Sequence, residues 1–420
     1  MTATAASAPG KVLLAGGYTV LDPACRGLVF ALSARIHCVA TPSEGPPGTI
    51  TVRSPQFQDA VWVYRVSPPP TDGAAVDVVQ TNDGDGNPFV LTTLKYTLTH
   101  LALPSPPATT LTILADNPYY SQPPPPIPRF NRLPFPIKSA YKTGLGSSAA
   151  LVTSLTSCIL LHFSPSSSLT TDSHLFHNLA QAAHCAAQGK VGSGFDVAAA
   201  TYGSCIYRRF PPSLLSLPAT TSPTFTTSLS QTISQEWTME AIPLSLPPKL
   251  GLIMGDVQCG SSTPGMVKKV LSWRESADDS LWNSLNDKNE SLIAAITSDA
   301  SFATLSDKIT SIRAAIKEVA REAGVEIEPV PQTKLLNAAS ELDGVIGGVV
   351  PGAGGYDAVC FLYEKREGVE DRLRRFLGEW KVENGVVKAL ELGEEGEGVR
   401  VEDVRGYEDV KAYFEGVAEI

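Results

Sequence analysis

The stretch Lys142-Thr143-Gly144-Leu145-Gly146-Ser147-Ser148-Ala149-Ala150 decides how this chain is read, because a glycine-rich bend there runs straight into an apolar helical pattern. Glycines at 144 and 146 permit backbone angles that side chains forbid, so successive N–H groups can converge on an anion at the positive end of the following helix. Lys142 supplies a point charge beside that cradle, and Ser147 or Ser148 an oxygen for magnesium. The plainer reading of the same residues is a tight turn capped by serine, a frequent helix cap. Two common nucleotide fingerprints do not fit. No glycine is followed at once by Lys and then Ser or Thr, as a P-loop requires. Pro134 to Tyr141 is a poor hydrophobic strand to precede a dinucleotide loop.

Two further glycine-rich segments frame the bend. Ser7-Ala8-Pro9-Gly10-Lys11-Val12-Leu13-Leu14-Ala15-Gly16-Gly17-Tyr18 puts a lysine at the start of an apolar strand that ends in a glycine pair. Gly347-Gly348-Val349-Val350-Pro351-Gly352-Ala353-Gly354-Gly355-Tyr356-Asp357 precedes another apolar run, Ala358 to Tyr363. An ammonium inside an apolar strand is costly unless a carboxylate or phosphate meets it, which singles out Lys11. Together the three segments resemble the motifs of the GHMP kinases, the superfamily of galactokinase, homoserine kinase, mevalonate kinase and phosphomevalonate kinase. Lys142-Thr143, Gly16-Gly17-Tyr18 and the run Gly189-Lys190-Val191-Gly192-Ser193-Gly194-Phe195-Asp196 resemble the fungal and plant phosphomevalonate kinases in particular. The likeness extends to Asp116-Asn117-Pro118-Tyr119-Tyr120-Ser121, Gly255-Asp256-Val257, Pro331-Gln332-Thr333 and the tail around Gly406-Tyr407. Mevalonate kinases carry Gly-Glu-His in place of Gly16-Gly17-Tyr18.

The resemblance implies an α+β chain with the two-lobed GHMP kinase fold. A mixed α/β lobe over residues 1–245 would carry the ATP loop, and a ferredoxin-like α+β lobe would occupy 246–420. It implies ATP with Mg2+ as cofactors and phosphoryl transfer to (R)-5-phosphomevalonate. The triphosphate would meet Lys142, Gly144, Leu145, Gly146, Ser147, Ser148 and Ala149, with Ser147 on magnesium and Asn117 near the adenine. Lys11 and Asp196 would be catalytic, although an aspartate at a helix start is also favoured simply by the helix dipole. The acceptor would meet Lys11, Tyr18, Lys190, Ser193 and the cluster Ser261-Ser262-Thr263, which a capping role would equally explain. Competing readings are another small-molecule GHMP kinase, such as mevalonate kinase, and a non-catalytic nucleotide sensor. The chain departs from the superfamily in two places. Where mevalonate kinases place a magnesium-binding glutamate it reads His184-Cys185-Ala186-Ala187-Gln188, and Pro351 replaces a lysine of the third motif.

With 420 residues, 44.5 kDa and 43% hydrophobic content, the chain can bury two ordinary cores. A formal charge of −10 disfavours binding to nucleic acid or anionic membranes, so small-molecule partners are expected. Positive charge must then be concentrated locally, at Lys11, Lys142, Lys190, Arg208 with Arg209, and Lys268 with Lys269. Seven cysteines without any Cys-x-x-Cys point to reduced core thiols, and with no membrane-length apolar run and no signal-peptide pattern, a cytoplasmic protein is expected. His174 and His177 lack a third metal ligand and read as surface or cap residues. Monomer and homodimer both remain open. Periodicity predicts strands at 11–15, 28–40, 250–254 and 358–363, and a hairpin from 50–52 and 61–66. Helices are expected at 90–103, 149–163, 172–188, 266–273, 278–298, 301–323, 331–342 and 369–379. Residues 211–235, rich in Pro, Ser and Thr, read as a mobile excursion, and 391–403 as a solvated acidic face or turn.

Overall fold

The computed structural model describes residues 2–123, 126–257, 263–382 and 385–414. The chain opens with strands β1 (Thr4–Ala15), β2 (Arg26–Pro42), β3 (Thr49–Arg53), β4 (Val61–Ser67) and β5 (Asp77–Gln80), then α1 (Pro88–His100) and β6 (Thr109–Ala115). Three helices follow the bend, α2 (Ser147–Phe163), α3 (Ser173–Gln188) and α4 (Phe195–Tyr202), and then β7 (Cys205–Arg208), α5 (Phe225–Ser234) and β8 (Glu240–Pro243). The second half runs β9 (Leu250–Asp256), α6 (Thr263–Ser276), α7 (Asp279–Thr297), α8 (Phe302–Ala323), α9 (Val330–Ser340), β10 (Val345–Val349), β11 (Ala358–Glu364) and α10 (Val369–Glu379). The short strands β12 (Lys381–Val382), β13 (Gly385–Val386), β14 (Lys388–Ala389) and β15 (Arg400–Glu402) close it.

Among the described residues the strands form two main sheets. A nine-stranded sheet runs β15-β1-β2-β6-β3-β4-β5, with β7 on the far end of β2 and β8 beyond it. A four-stranded sheet runs β10-β11-β9-β14. Almost every residue of β2 is buried, and such a continuous apolar run marks a strand covered on both faces rather than an alternating one. Helix α8 buries Leu305, Ile309, Ile312, Ala315 and Val319, the spacing of one helical face. Ile309 lies against Gly347 of β10, where an added Cβ would come within 3.1 Å of its side chain.

Three expectations need correcting. Residues 211–235 contain helix α5, whose Phe225, Leu229 and Ile233 are buried in the cluster that holds Phe176 and Leu179 of α3. Their spacing of four outweighs the polar composition. The acidic segment 391–403 is likewise partly structural. Its β15 pairs with β1, and Glu395 and Glu402 face the buried guanidinium of Arg35. A buried arginine requires such carboxylates. His177, expected as a surface or cap residue, is buried between Tyr202 and Trp237, while His174 is exposed.

Candidate active site

Strand β1 and the glycine bend are laced together by lysine. The Lys11 N–H donates to the Leu145 carbonyl at 2.9 Å, and its Nζ donates to the Gly144 carbonyl at 3.0 Å. Gly146 stands at φ 78°, and a Cβ there would lie 2.8 Å from Lys11 Cε, so both backbone angle and space demand glycine. Helix α2 starts at the next residue. The N–H groups from Gly144 to Ala149 find no acceptor among the described residues, whereas that of Ala150 bonds to the Gly146 carbonyl. Six consecutive N–H groups at the positive end of α2 are thus without an acceptor among the described residues, and Lys142 stands exposed beside them without a carboxylate partner among those residues.

Helix α3 ends at Gln188, and the turn 189–194 leads into α4 with Asp196 in its first turn. The Asp196 carboxylate accepts the Val197 N–H at 3.0 Å and stands 4.0 Å from His184 Nε2. That same nitrogen lies 3.1 Å from Ser148 Oγ, so His184 bridges the phosphate-side helix and the acid. Burial pulls the His184 pKa down, aided by the Lys190 charge and opposed by Asp196, leaving a neutral imidazole at pH 7. Burial also lowers the Lys11 pKa, and the Asp196 charge partly restores it. The two charges thus act on each other through space. Lys11 and Asp196 make no direct ion pair, and the ammonium lies 5.6 Å from the centre of the Phe195 ring.

Tyr18 adopts φ 65°, rare for a residue with a side chain, and its hydroxyl donates to the Ala353 carbonyl at 2.6 Å. That bond ties the first glycine segment to the third, whose Gly355 N–H is itself anchored on the Ile327 carbonyl at 2.9 Å. Burial pushes the Tyr18 phenol pKa up, so it remains a donor. The segment Val350 to Gly354, Met254 of β9 and Val267 and Leu271 of α6 complete one wall of a cleft of about 890 Å³.

Most of the residues singled out in the sequence meet in that cleft. Lys11, Tyr18, Lys142, Gly144, Leu145, Gly146, Ser147, Ser148, Lys190, Ser193 and Asp196 all line it, and Ala149 is buried just behind. Asn117 does not line it. Its side chain donates to the Pro128 carbonyl at 3.0 Å and accepts the Asn131 N–H at 2.9 Å, which organises the proline-rich loop. Ser261 and Ser262 lie outside the described residues, and Thr263 begins α6. Arg208 pairs with Glu240 at 2.7 Å, and Lys268 and Lys269 are exposed away from the lining. Sequence reasoning missed the contact of His184 with Ser148 and the role of Tyr207 and Arg209, which hold the turn from behind. No local motif marks those partners.

Among the described residues no group of three or more His, Cys, Asp or Glu could hold a metal ion, the six described cysteines are free and buried, and no helix is long and apolar enough to cross a membrane. Residues 132–204, which include the bend and Asp196, match the family model of the GHMP kinases N terminal domain. The chain is 46% identical over 433 residues to phosphomevalonate kinase ERG8 of Gibberella zeae, covering 96% of this chain and 97% of that one. It is 42% identical to phosphomevalonate kinase erg8 of Aspergillus fumigatus, covering 96% and 98%. Its fold resembles that of Streptococcus pneumoniae phosphomevalonate kinase in complex with phosphomevalonate and AMPPNP, with a TM-score of 0.67, 15% identity, and coverage of 94% of this chain and 100% of that one. With that family match over the bend, these relatives, and its three glycine segments lining one cleft, the chain is of the GHMP kinase class. Within it, the chain belongs to the phosphomevalonate kinase family.

Proposed function

We propose that the protein transfers the terminal phosphoryl group of ATP to (R)-5-phosphomevalonate, giving 5-diphosphomevalonate and ADP in the mevalonate route to isoprenoids and sterols. One observation carries the reading. A chain of formal charge −10 lines a single cleft with two lysines, Lys142 and Lys190, that have no carboxylate partner among the described residues. One sits by the nucleotide bend and the other by the turn before Asp196, as a reaction between two phosphate-bearing molecules needs. Relatives aligned almost end to end bear the name of that reaction.

The acceptor shapes the chemistry. A phosphomonoester has its second pKa near ~6 and is already mostly dianionic at neutral pH, so no strong general base is needed. Asp196 orients the attacking oxygen and supports the charge of Lys11. Lys11 and the N–H groups of the bend offset charge on the group in transfer. Magnesium, when bound with the nucleotide, supplies further neutralisation of phosphate charge. The Ser147 hydroxyl fits a hard cation held mainly by phosphate oxygens and water, whereas the nitrogen of His184 does not. A cytoplasmic location is part of the proposal, supported by the free thiols, and microscopy of a tagged chain tests it.

A coupled assay of ADP release compares phosphomevalonate, mevalonate and galactose. Turnover of phosphomevalonate alone is expected. Turnover of either other acceptor without it moves the assignment to another small-molecule GHMP kinase, and ATP binding with no turnover leaves a non-catalytic sensor.

A further inference from the structure

The turn that carries Lys190 is built from behind. Three consecutive carbonyls are taken by side chains at the end of β7. The Tyr207 hydroxyl donates to the Ser193 carbonyl at 2.8 Å, and Arg209 donates to the Gly192 carbonyl at 2.6 Å and the Val191 carbonyl at 3.1 Å. A third donation from Arg209, to the Leu21 carbonyl at 2.6 Å, fixes the guanidinium to the loop after Tyr18. In a trans peptide the N–H points opposite the carbonyl, so the N–H groups of Ser193 and Gly194 are turned away from this clamp. Neither finds an acceptor among the described residues. Gly194 stands at φ 83°, and a Cβ there would lie 2.7 Å from Phe210 and 2.8 Å from the Tyr207 hydroxyl, so the clamp packs against a position that only glycine fits. Gly192, Ser193 and Gly194 line the cleft next to Lys190.

Arg209 is 8% exposed and has no carboxylate partner among the described residues. A buried cation satisfied only by carbonyls is expensive, and an apolar side chain could fill the space at lower cost. Its planar fork, unlike an ammonium, can hold three carbonyls in set directions.

We propose that Tyr207 and Arg209 are positioning residues that present the Ser193 and Gly194 N–H groups, beside Lys190, to the phosphate already on the acceptor. This rests on the proposed function, since only a phosphorylated acceptor brings an anion to that wall. The acceptor is then gripped by main-chain donors, as the nucleotide is, but on a glycine turn that remote side chains brace.

Steady-state kinetics on the full chain test this, varying each substrate at saturation of the other, with ATP-induced thermal shift as the check on folding. Arg209→Met should raise KM for phosphomevalonate about 10–100-fold, the loss expected for one or two charge-assisted contacts, with KM for ATP within about twofold. Arg209→Lys should recover part of that loss. Tyr207→Phe removes one oxygen and should raise the acceptor KM about three- to tenfold. Equal rises in both KM values, or a fall in kcat with acceptor KM unchanged, would overturn the inference. If Arg209→Met shows no ATP-induced shift, Tyr207→Phe decides alone, and an unchanged acceptor KM overturns it. A wild type inactive on phosphomevalonate would remove the proposed function and this inference together, whereas an active wild type with unsplit variants removes the inference alone.

Discussion

The bend at 142–149 and the turn at 190–196 line one cleft and are held there by different means. The bend has Gly144 and Gly146 in left-handed conformations, helix α2 beginning at once, and Lys11 of β1 on two of its carbonyls. The turn follows Gly189 and contains Gly194, both in left-handed conformations, and is held besides by Tyr207 and Arg209, which lie more than a helix further along the chain. Left-handed glycines are legible in both, whereas the clamp behind the turn shows only in tertiary contacts. The glycines of either segment can be recognised without a structure, while the clamp behind the turn cannot.

The largest effect should follow from emptying the junction between the two regions. Lys11→Met removes the cation that bonds the bend and answers to Asp196, and kcat should fall about 10³-fold, at the upper end of losses for one transition-state donor. A loss below tenfold in stopped-flow or steady-state assays would place Lys11 outside the chemistry. Next in size, Asp196→Asn should cost about 10²-fold in kcat. Its pH profile sharpens the assignment. If Asp196 were a general base, the acidic limb would vanish, whereas an orienting role keeps that limb. Because burial lowers the Lys11 pKa and Asp196 raises it, Asn at 196 lets it fall further. The charged ammonium is then lost at lower pH, so the alkaline limb should move down.

Gly146→Ala probes the bend and the Lys11 side chain packed on it. A Cβ meets Lys11 at 2.8 Å on a backbone at φ 78°, so kcat/KM for ATP should drop about tenfold or more while the acceptor KM stays within about twofold. Parallel losses for both substrates would mean that bend and turn are not separable. The smallest kinetic effect is expected at Phe225→Ala in α5, a core residue that does not line the cleft. Stability should fall by about 3–5 kcal/mol in chemical denaturation, with kcat per folded molecule unchanged.

What could be read from sequence follows the same division. Lys11 within an apolar strand, the bend, and Asp196 at a helix start each carry their reason within a few neighbours, and all three line the cleft. Helix α5 was hidden because the prolines, serines and threonines around it suggest a loop, while only the spacing of Phe225, Leu229 and Ile233 signals a buried face. The acidic segment near the end looked solvated because Arg35, the cation it serves, is 360 residues from Glu395. Asn117 sits beside aromatic residues that invite an adenine contact, yet its amide is spent within its own loop. In each case the missing information is a partner distant in sequence.

The central claim is that the nucleotide polyanion is held chiefly by main-chain N–H groups of the bend, with Lys11 and Asp196 delivered from separate elements. A crystal structure of the chain with a non-hydrolysable ATP analogue and phosphomevalonate tests it most directly. Phosphate oxygens of the analogue within hydrogen-bonding distance of the N–H groups between Gly144 and Ala149, and Lys11 beside the terminal phosphate, are the predicted result. A bound analogue whose phosphates leave those N–H groups untouched would contradict it.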